Sequence, residues 1–248
     1  MEISPSHPRY KSLLLRERLA EAMREGIVTA TGLIAHGRGE AYDYMMGERT
    51  TPSADEAERV AACHLLEAER PVLCVNGNAA VVAGKEIIEL AKALPAKVEV
   101  NLFHRSAERM EKVISYMESL GDVEILGRKA DAFIEGIASE RAKCSSEGIG
   151  SADVILVPIE DGDRAQALVA MGKVVIAIDL NPLSRTSRTA SVPIVDEASR
   201  AVRNITHYVN EFRQADRHVI IENFDKERAL RSAVEEIKDF LTTAFDER

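Results

Sequence analysis

The chain has 248 residues, of which 46% are hydrophobic and 29% are charged, as in an ordinary globular protein. Its 41 acidic residues outnumber 32 Lys and Arg, and the net charge of −9 argues against nucleic-acid binding. No apolar run reaches the length of a membrane span, and the N-terminus lacks the apolar core of a secretory signal. The three cysteines have neither CxxC nor metal-ligand spacing, which is typical of reduced thiols. We therefore expect a cytoplasmic protein that binds neither membranes nor nucleic acid.

The first third of the chain is predicted to be helical. A helix over 8–25 starts with a proline and is followed by a glycine, which is the usual asymmetry of helix ends. A Gly-rich connection over 33–44 comes next. Ser53 and Glu56 then predict a capping box for a helix over 54–69.

From residue 71 onward, short apolar runs alternate with helical segments. The predicted strands are 72–76, 97–103, 122–126, 152–158 and 173–180. Fully apolar strands separated by helices are typical of a parallel sheet that is buried on both faces. We therefore predict an α/β fold, a Rossmann-like, doubly wound, mostly parallel sheet with a helical N-terminal region. The chain would form one domain, with helices over 1–70, the core over 71–200 and C-terminal helices over 200–248.

A Gly-Arg-Gly motif stands in the predicted connection. Arg38 lies between Gly37 and Gly39, and an arginine can hold a phosphate through two hydrogen bonds where glycines let the backbone approach closely. The same residues are equally typical of a turn that leads into a helix, with Arg38 paired to Glu40 or Asp43. The sequence leaves both interpretations open.

Two further motifs stand between a predicted strand and a helix. Asn76-Gly77-Asn78 follows the first strand, and Arg105-Ser106 follows the second. Helix N-termini attract anions, so both segments are candidates for binding a phosphorylated substrate. Neither contains GxGxxG or GxxxxGK[ST]. For the first motif, a plain tight turn with Asn78 as the helix cap is the alternative.

The strongest predicted strand ends in Asp179. An acidic residue at the carboxyl end of a parallel strand is where ribose hydroxyls or a metal are commonly held. Arg185 and Thr186 follow closely, and they would bind phosphates. This convergence of polar groups favours a nucleotide site over a solvated loop.

Two polar segments near this region remain open. The acidic segment 160–164 would either hold Mg²⁺ through water or form a solvated turn with helix-capping acids. Ser139, Arg141 and Lys143 are expected in a solvated loop, although they could also reach a ligand.

Several long segments, taken together and in order, resemble the archaeal phosphopantothenate synthetases, also called 4-phosphopantoate–β-alanine ligases. The segments that carry the resemblance are SHPRYKSLLLRERL (6–19), GLIAHGRGEAYDYMMGERT (32–50), VNGNAA (75–80), VNLFHRSAER (100–109) and ILVPIEDGDRAQALVAMGKVVIAIDLNPLSRT (155–186). Members of this family are homodimers with a Rossmann-like core. They join 4-phosphopantoate to β-alanine with ATP and release AMP and pyrophosphate.

The resemblance also implies which residues contact ATP. Carried over by position, the ATP contacts are Arg16, Arg38, Asp179, Leu180, Asn181, Arg185 and Thr186. A further family contact, an Asn-Ile pair, is replaced here by Glu197 and Ala198. We expect Mg²⁺ to accompany the ATP and Asn76–Asn78, Arg105 and Ser106 to bind the phosphorylated substrate. No residue is assigned as a catalytic base.

Two other functions remain alternatives. A nicotinamide-dependent oxidoreductase is suggested by the α/β pattern alone, although the sequence lacks GxGxxG. A non-catalytic nucleotide-binding module would use the same loops without forming AMP.

Overall fold

The structure is a computed structural model that describes residues 4–246. The strands are β1 (Pro71–Val75), β2 (Lys97–Val100), β3 (Ile125–Leu126), β4 (Ala132–Phe133), β5 (Lys143–Cys144), β6 (Val154–Pro158), β7 (Val174–Ile178) and β8 (Val192–Ile194). Six of them form one sheet, whereas β4 and β5 pair as a separate antiparallel ribbon.

The sheet has the strand order β3-β2-β1-β6-β7-β8, and every pairing in it is parallel. Counted among these six strands alone, this is the order 3-2-1-4-5-6 of doubly wound Rossmann folds. The predicted fold class is therefore confirmed. The direction of winding reverses between β1 and β6, and such sheets bind ligands in the crevice beyond the carboxyl ends of those strands.

The apolar strands are covered on both faces. Successive side chains of a strand point to opposite faces, so Leu73 and Val75 of β1 enter the larger core cluster. Val72 and Cys74 enter the smaller cluster on the other face. All residues of β1 and β6 are buried, which explains why these runs contain almost no polar residues.

Helices surround the sheet. They are α1 (Tyr10–Arg24), α2 (Ala30–Met45), α3 (Pro52–Glu67), α4 (Gly77–Ala93), α5 (Ala107–Leu120), α6 (Gly162–Ala170), α7 (Arg185–Thr189), α8 (Ala198–Glu211), α9 (Arg217–Glu222) and α10 (Lys226–Thr243). Side chains of α3, α4, α5 and α8 fill the larger core, whereas α6 and the β4–β5 ribbon contribute to the smaller one. Helix α1 is tied to α4 by the Arg18 guanidinium, which donates to the Val81 carbonyl at 2.7 Å. No helix within residues 4–246 is long and apolar enough to span a membrane.

The predicted connection over 33–44 is wrong, because this segment lies inside α2. The helix begins after Thr29, whose side chain accepts a hydrogen bond from the Gly32 N–H at 3.2 Å. Both Gly37 and Gly39 are therefore helical. A glycine costs a helix only about 1 kcal/mol relative to alanine, and good helix formers between the glycines and around them outweigh that cost.

The predicted capping box is also wrong. Helix α3 begins at Pro52, so Ser53 is already inside the helix. The Ser53 hydroxyl donates to Glu236 of α10 at 2.6 Å, and Glu56 forms an ion pair with α10 as well. Two side chains whose spacing predicts a local cap instead join α3 to the C-terminal helix.

The edge strand β8 was not predicted. Its middle residue is Pro193, which cannot donate to a sheet ladder. An edge strand tolerates this loss because only one of its sides is paired. Helices α8, α9 and α10 agree with the predicted helical C-terminal segment.

Candidate functional site

The candidate site lies at the carboxyl edge of the sheet, where the loops after β1, β6 and β7 meet. The Asn76 amide donates to the Ile159 carbonyl at 2.7 Å, which joins the loops after β1 and β6. The Thr186 hydroxyl donates to the Glu160 carbonyl at 2.8 Å, which joins α7 to the same loop. Asn76 and Thr186, predicted on separate grounds, therefore both contact the loop that follows β6.

The Asn-Gly-Asn segment starts α4. Asn76 rather than Asn78 is the helix cap, since its side-chain oxygen accepts from the Ala79 N–H at 3.0 Å. Asn78 is buried and donates to the Gly32 carbonyl of α2 at 2.7 Å. A Cβ on Gly77 would lie 2.3 Å from the Ile27 carbonyl oxygen, so chain packing alone requires a glycine there.

The Arg105-Ser106 segment starts α5. Ser106 caps the helix by accepting from the Arg109 N–H at 3.2 Å, and Arg105 donates to the Gly127 carbonyl at 2.6 Å. Arg109 also donates to the Ile27 carbonyl at 3.0 Å. Since β1 and β2 are parallel neighbours, the N-termini of α4 and α5 lie on the same side of the crevice.

Asp179 organises the turn after β7. One carboxylate oxygen accepts from the Asn181 N–H at 3.0 Å, and the other accepts from the Ser184 hydroxyl at 2.6 Å. The Asn181 side chain accepts in turn from the Leu183 N–H at 3.0 Å. These bonds give the segment a fixed shape and account for the polar residues in it, so they also agree with the solvated loop that is the alternative to a nucleotide site.

The helix that carries the predicted ATP residue Arg38 packs against this turn. A Cβ on Gly39 would be 3.5 Å from the Leu180 side chain, which shows that α2 packs against the segment after β7. Arg16 of α1 forms an ion pair with Glu40 of α2 at 2.8 Å, and this hydrogen-bonded contact raises the pKa of Arg16. Arg38 is exposed, and no side chain within the described part of the protein pairs with its guanidinium.

Arg185 lies on the other side of the same turn. Its guanidinium donates to the Gln166 side chain of α6 at 2.5 Å. Its aliphatic part covers Gly162, where a Cβ would come within 2.6 Å of it. Arg185 therefore lies across the N-terminal end of α6, with its side chain exposed.

A buried ionic cluster beneath the loop after β6 was missed by the sequence analysis. Glu160 lies between Arg141 and Arg164, and all three side chains are almost completely buried. Arg141 also contacts Asp161, and Arg164 donates to the Cys74 sulfur at 3.3 Å. The prediction that Arg141 lies in a solvated loop is wrong, because the β4–β5 ribbon folds it beneath the sheet edge. The i, i+4 spacing of Glu160 and Arg164 was the available signal.

The carboxylates near the site determine whether it can hold a metal ion. Within residues 4–246, no three His, Cys, Asp or Glu side chains are grouped as metal ligands. Asp161 follows Glu160 and is 49% exposed; one of its carboxylate oxygens is paired with Arg141, which leaves the other for a cation. Mg²⁺ needs only one or two protein carboxylates when phosphates and water complete its coordination, so this arrangement fits a nucleotide-bound Mg²⁺.

The fold and these loops define a Rossmann-like α/β protein with polar groups gathered along the carboxyl edge of its sheet. Comparison with known proteins identifies its family. Residues 53–240 match the family model described as phosphopantothenate/pantothenate synthetase. The chain belongs to this family.

Curated relatives match nearly the whole chain and carry the name 4-phosphopantoate–β-alanine ligase. The relative from Methanospirillum hungatei is 48% identical over 98% of this chain and 100% of its own length. The relative from Thermococcus onnurineus is 47% identical over 98% of this chain and 94% of its own. The relative from Methanosarcina mazei is 46% identical over 98% of this chain and 96% of its own.

Proposed function

We propose that this protein is an ATP-dependent ligase that joins 4-phosphopantoate to β-alanine and forms 4'-phosphopantothenate, AMP and pyrophosphate, a step of coenzyme A synthesis. The observation that carries the proposal is the near-full-length similarity to ligases of that name. The loops at the carboxyl edge of the sheet support it, because they offer polar groups suited to a nucleotide and to a phosphorylated acid.

ATP binds on the β7 side of the crevice in this proposal. Arg38 supplies a guanidinium that has no internal partner within the described residues, so it needs to break no ion pair to bind a phosphate. The turn held by Asp179 presents Leu180 and Asn181 beside α2. Arg185 and Arg16 complete the binding surface, and Thr186, which is buried and whose hydroxyl donates to the Glu160 carbonyl, would contribute through its backbone.

The phosphorylated substrate binds on the β1 side. Its phosphate lies near the N-termini of α4 and α5, where backbone N–H groups and the helix dipoles favour an anion. The side chains of Asn76, Asn78 and Ser106 already have hydrogen-bond partners, so their backbone groups would supply most of the binding. Arg105 would add a positive charge at the same end.

The chemistry needs no nucleophilic side chain. The carboxylate of phosphopantoate attacks the α-phosphorus of ATP and pyrophosphate leaves, which produces an acyl-adenylate. The amine of β-alanine then attacks the acyl carbon, AMP leaves, and the amine proton is released. The arginines hold the reacting groups in line and stabilise the negative charge that develops on the phosphate. Asp161 would help to hold Mg²⁺, which would supply positive charge beside the phosphates.

We also propose that the protein is a cytoplasmic homodimer in which each chain is one domain. A groove of about 780 Å³ lies beside α10 and is lined in part by Leu183, Leu230 and Val234. Leu183 is 67% exposed, and Leu241 continues the apolar stripe along the helix. Arg231 and Glu235 border this face, so two copies related by a two-fold axis can pair opposite charges across it.

The function is tested by product analysis. With ATP, Mg²⁺, 4-phosphopantoate and β-alanine, AMP and pyrophosphate should appear in step with phosphopantothenate. Unphosphorylated pantoate, used in place of 4-phosphopantoate, should bind more weakly and react at a lower maximal rate, because the phosphate contributes to orienting the carboxylate. ADP in place of AMP would indicate an acyl-phosphate route, and equal use of pantoate would overturn the assigned substrate. A nucleotide-binding module would form no AMP.

A further inference from the structure

A buried carboxyl group outside the proposed binding surface lies next to a second carboxyl group. Glu58 of α3 has an exposed fraction of 0%, and Asp196, directly after β8 and its neighbour Val195, has an exposed fraction of 1%. The Asn204 amide donates to Glu58 at 2.9 Å and to the Thr50 hydroxyl at 3.0 Å, and that hydroxyl donates to Asp196 at 2.7 Å, so the two carboxyl groups are neighbours in one hydrogen-bonded network. Two carboxylates cannot donate to each other, so a direct hydrogen bond between them requires a proton on one of them.

The hydrogen bonds around the pair indicate which group carries the proton. Asp196 accepts from the Thr50 hydroxyl, from the Glu197 N–H and from the Arg200 Nε, each at 2.7 Å. Glu58 accepts at one oxygen from the Asn204 amide at 2.9 Å. Its other oxygen, Oε1, is buried without a donor within the described residues. Asp196 thus has the surroundings of an anion, and Glu58 has those of a neutral acid.

Burial agrees with this assignment. The loss of solvent disfavours the charged form of Glu58, the negative charge of Asp196 disfavours it further, and its pKa rises to about 9. Asp55 of α3 acts in the same direction. Other titratable side chains that neighbouring helices direct towards α3 have partners of their own. Tyr208 of α8 bonds to Asp55, and Arg217 of α9 pairs with Glu67. In α10, Arg228 pairs with Glu56, and Glu236 accepts from Ser53.

The same pair is connected to the proposed ATP site. Arg200, which binds Asp196, also binds Asp43 of α2 at 2.6 Å. At the C-terminal end of that helix, Met46 packs with Val195 and with Leu180 of the turn after β7. Helix α2 is therefore attached to Asp196 through Arg200, and to the turn after β7 through Met46 and Leu180.

We propose that Glu58 carries a proton at neutral pH, donates it in a hydrogen bond to Asp196, and so positions helix α2 for ATP binding. Loss of that proton places two negative charges side by side, weakens the attachment of the turn after β8, and displaces α2 with Arg38. The positioning role rests on the proposed function, since it assumes that ATP contacts α2. The protonation itself does not.

The first experiment measures ATP binding to the complete protein by calorimetry at about pH 8 and about pH 10. If ATP requires protonated Glu58, the dissociation constant of the wild type should rise about tenfold across this interval. Glu58→Gln keeps a neutral donor towards Asp196 and an acceptor for Asn204, so its dissociation constant should change less than about twofold. Glu56→Gln, at a half-exposed position of the same helix whose ion pair with Arg228 lies at the surface, should follow the wild type. Parallel profiles for wild type and Glu58→Gln would overturn the positioning role.

The second experiment does not depend on ATP. The unfolded chain releases the Glu58 proton near its ordinary pKa, whereas the folded protein keeps it until about pH 9. Stability linked to this group is therefore lost as the pH rises between these values. Glu58→Gln does not titrate, so its stability relative to the wild type should increase from about pH 5 to about pH 9 in urea unfolding. A constant difference would show that Glu58 is ionised and would overturn the proposal.

The outcomes separate the two proposals. If the wild type binds no ATP at about pH 8, the proposed function fails, while the unfolding series still decides on the proton. Should Glu58→Gln fail to fold, infrared spectra of the wild type decide instead. The carbonyl stretch of a buried carboxylic acid should persist at neutral pH and disappear above about pH 9, and its absence at neutral pH would overturn the proposal.

Discussion

At the scale of single residues, Arg38 differs from most other arginines near the site. Arg16, Arg105, Arg141, Arg164, Arg185 and Arg200 each contact another part of the chain. Arg38 lies exposed on α2, and the described residues provide no partner for its guanidinium. A guanidinium without an internal partner contributes little to stability and is available for a ligand.

We expect Arg38→Ala to slow ATP-dependent turnover, because a charge-assisted contact to phosphate is lost. The loss of transition-state stabilisation should be about 2–4 kcal/mol. The melting temperature should stay unchanged, since no internal bond is removed. Steady-state kinetics and thermal unfolding measure the two effects. Arg203→Ala, at an exposed arginine of α8, is the matched control and should be active. Near-wild-type turnover of Arg38→Ala would exclude this arginine from the site.

Glu160, in contrast to Arg38, has a buried side chain that lies between two buried guanidinium groups. We expect Glu160→Gln to reduce the free energy of unfolding by about 3–5 kcal/mol, since Arg141 and Arg164 lose the charge that compensates them. Urea unfolding at neutral pH measures this. Glu69→Gln, at an exposed ion pair with Arg70, should change stability by less than about 1 kcal/mol. A similarly small effect at Glu160 would show that its charge is not needed in the cluster.

At the scale of elements, α2 contains the glycines that were predicted to form a connection, and its helical assignment can be tested by substituting them. A Cβ added at Gly37 would meet nothing within 4 Å, whereas one added at Gly32 would lie 2.3 Å from the Asn78 amide oxygen. Both positions lie in the same helix, so they have the same backbone conformation and differ in their neighbours.

We expect Gly37→Ala to stabilise the protein by about 0.5–1 kcal/mol through helix propensity. Gly32→Ala should destabilise it, because its methyl group must displace Asn78 from its contact with α2. Thermal unfolding of the two variants provides the comparison. A lower melting temperature for Gly37→Ala would contradict the helical assignment of the Gly-Arg-Gly motif.

At the scale of the whole molecule, the exposed apolar stripe on α10 predicts how two copies meet. We expect light scattering to report a dimer at micromolar concentration for the wild type. Val234→Glu should shift it towards monomer, because a charge would be buried at the interface. Phe133→Glu changes a side chain that is 62% exposed on the β4–β5 ribbon and should leave the dimer intact. A monomeric wild type would contradict the proposed assembly.

How far the sequence determined this protein depends on the range of the interactions involved. The apolar strands, the helices between them and the parallel sheet follow from local periodicity, because each run needs cover on both faces wherever it lies. That polar residues after different strands would meet at one edge was also predicted, since parallel strands bring their carboxyl ends together. Asn76 and Thr186 indeed both contact the loop after β6.

Only the tertiary structure decided which charges meet. Asp43 and Arg200 are separated by 157 residues, and the burial of Arg141 depends on how the β4–β5 ribbon folds over the sheet. Ser53 and Glu56 have the spacing of a local cap, yet both bind α10 because that helix packs against α3. Hydrophobic periodicity and propensity act over a few neighbouring residues, whereas ion pairing, burial and a raised pKa such as that of Glu58 exist only once distant surfaces are brought together.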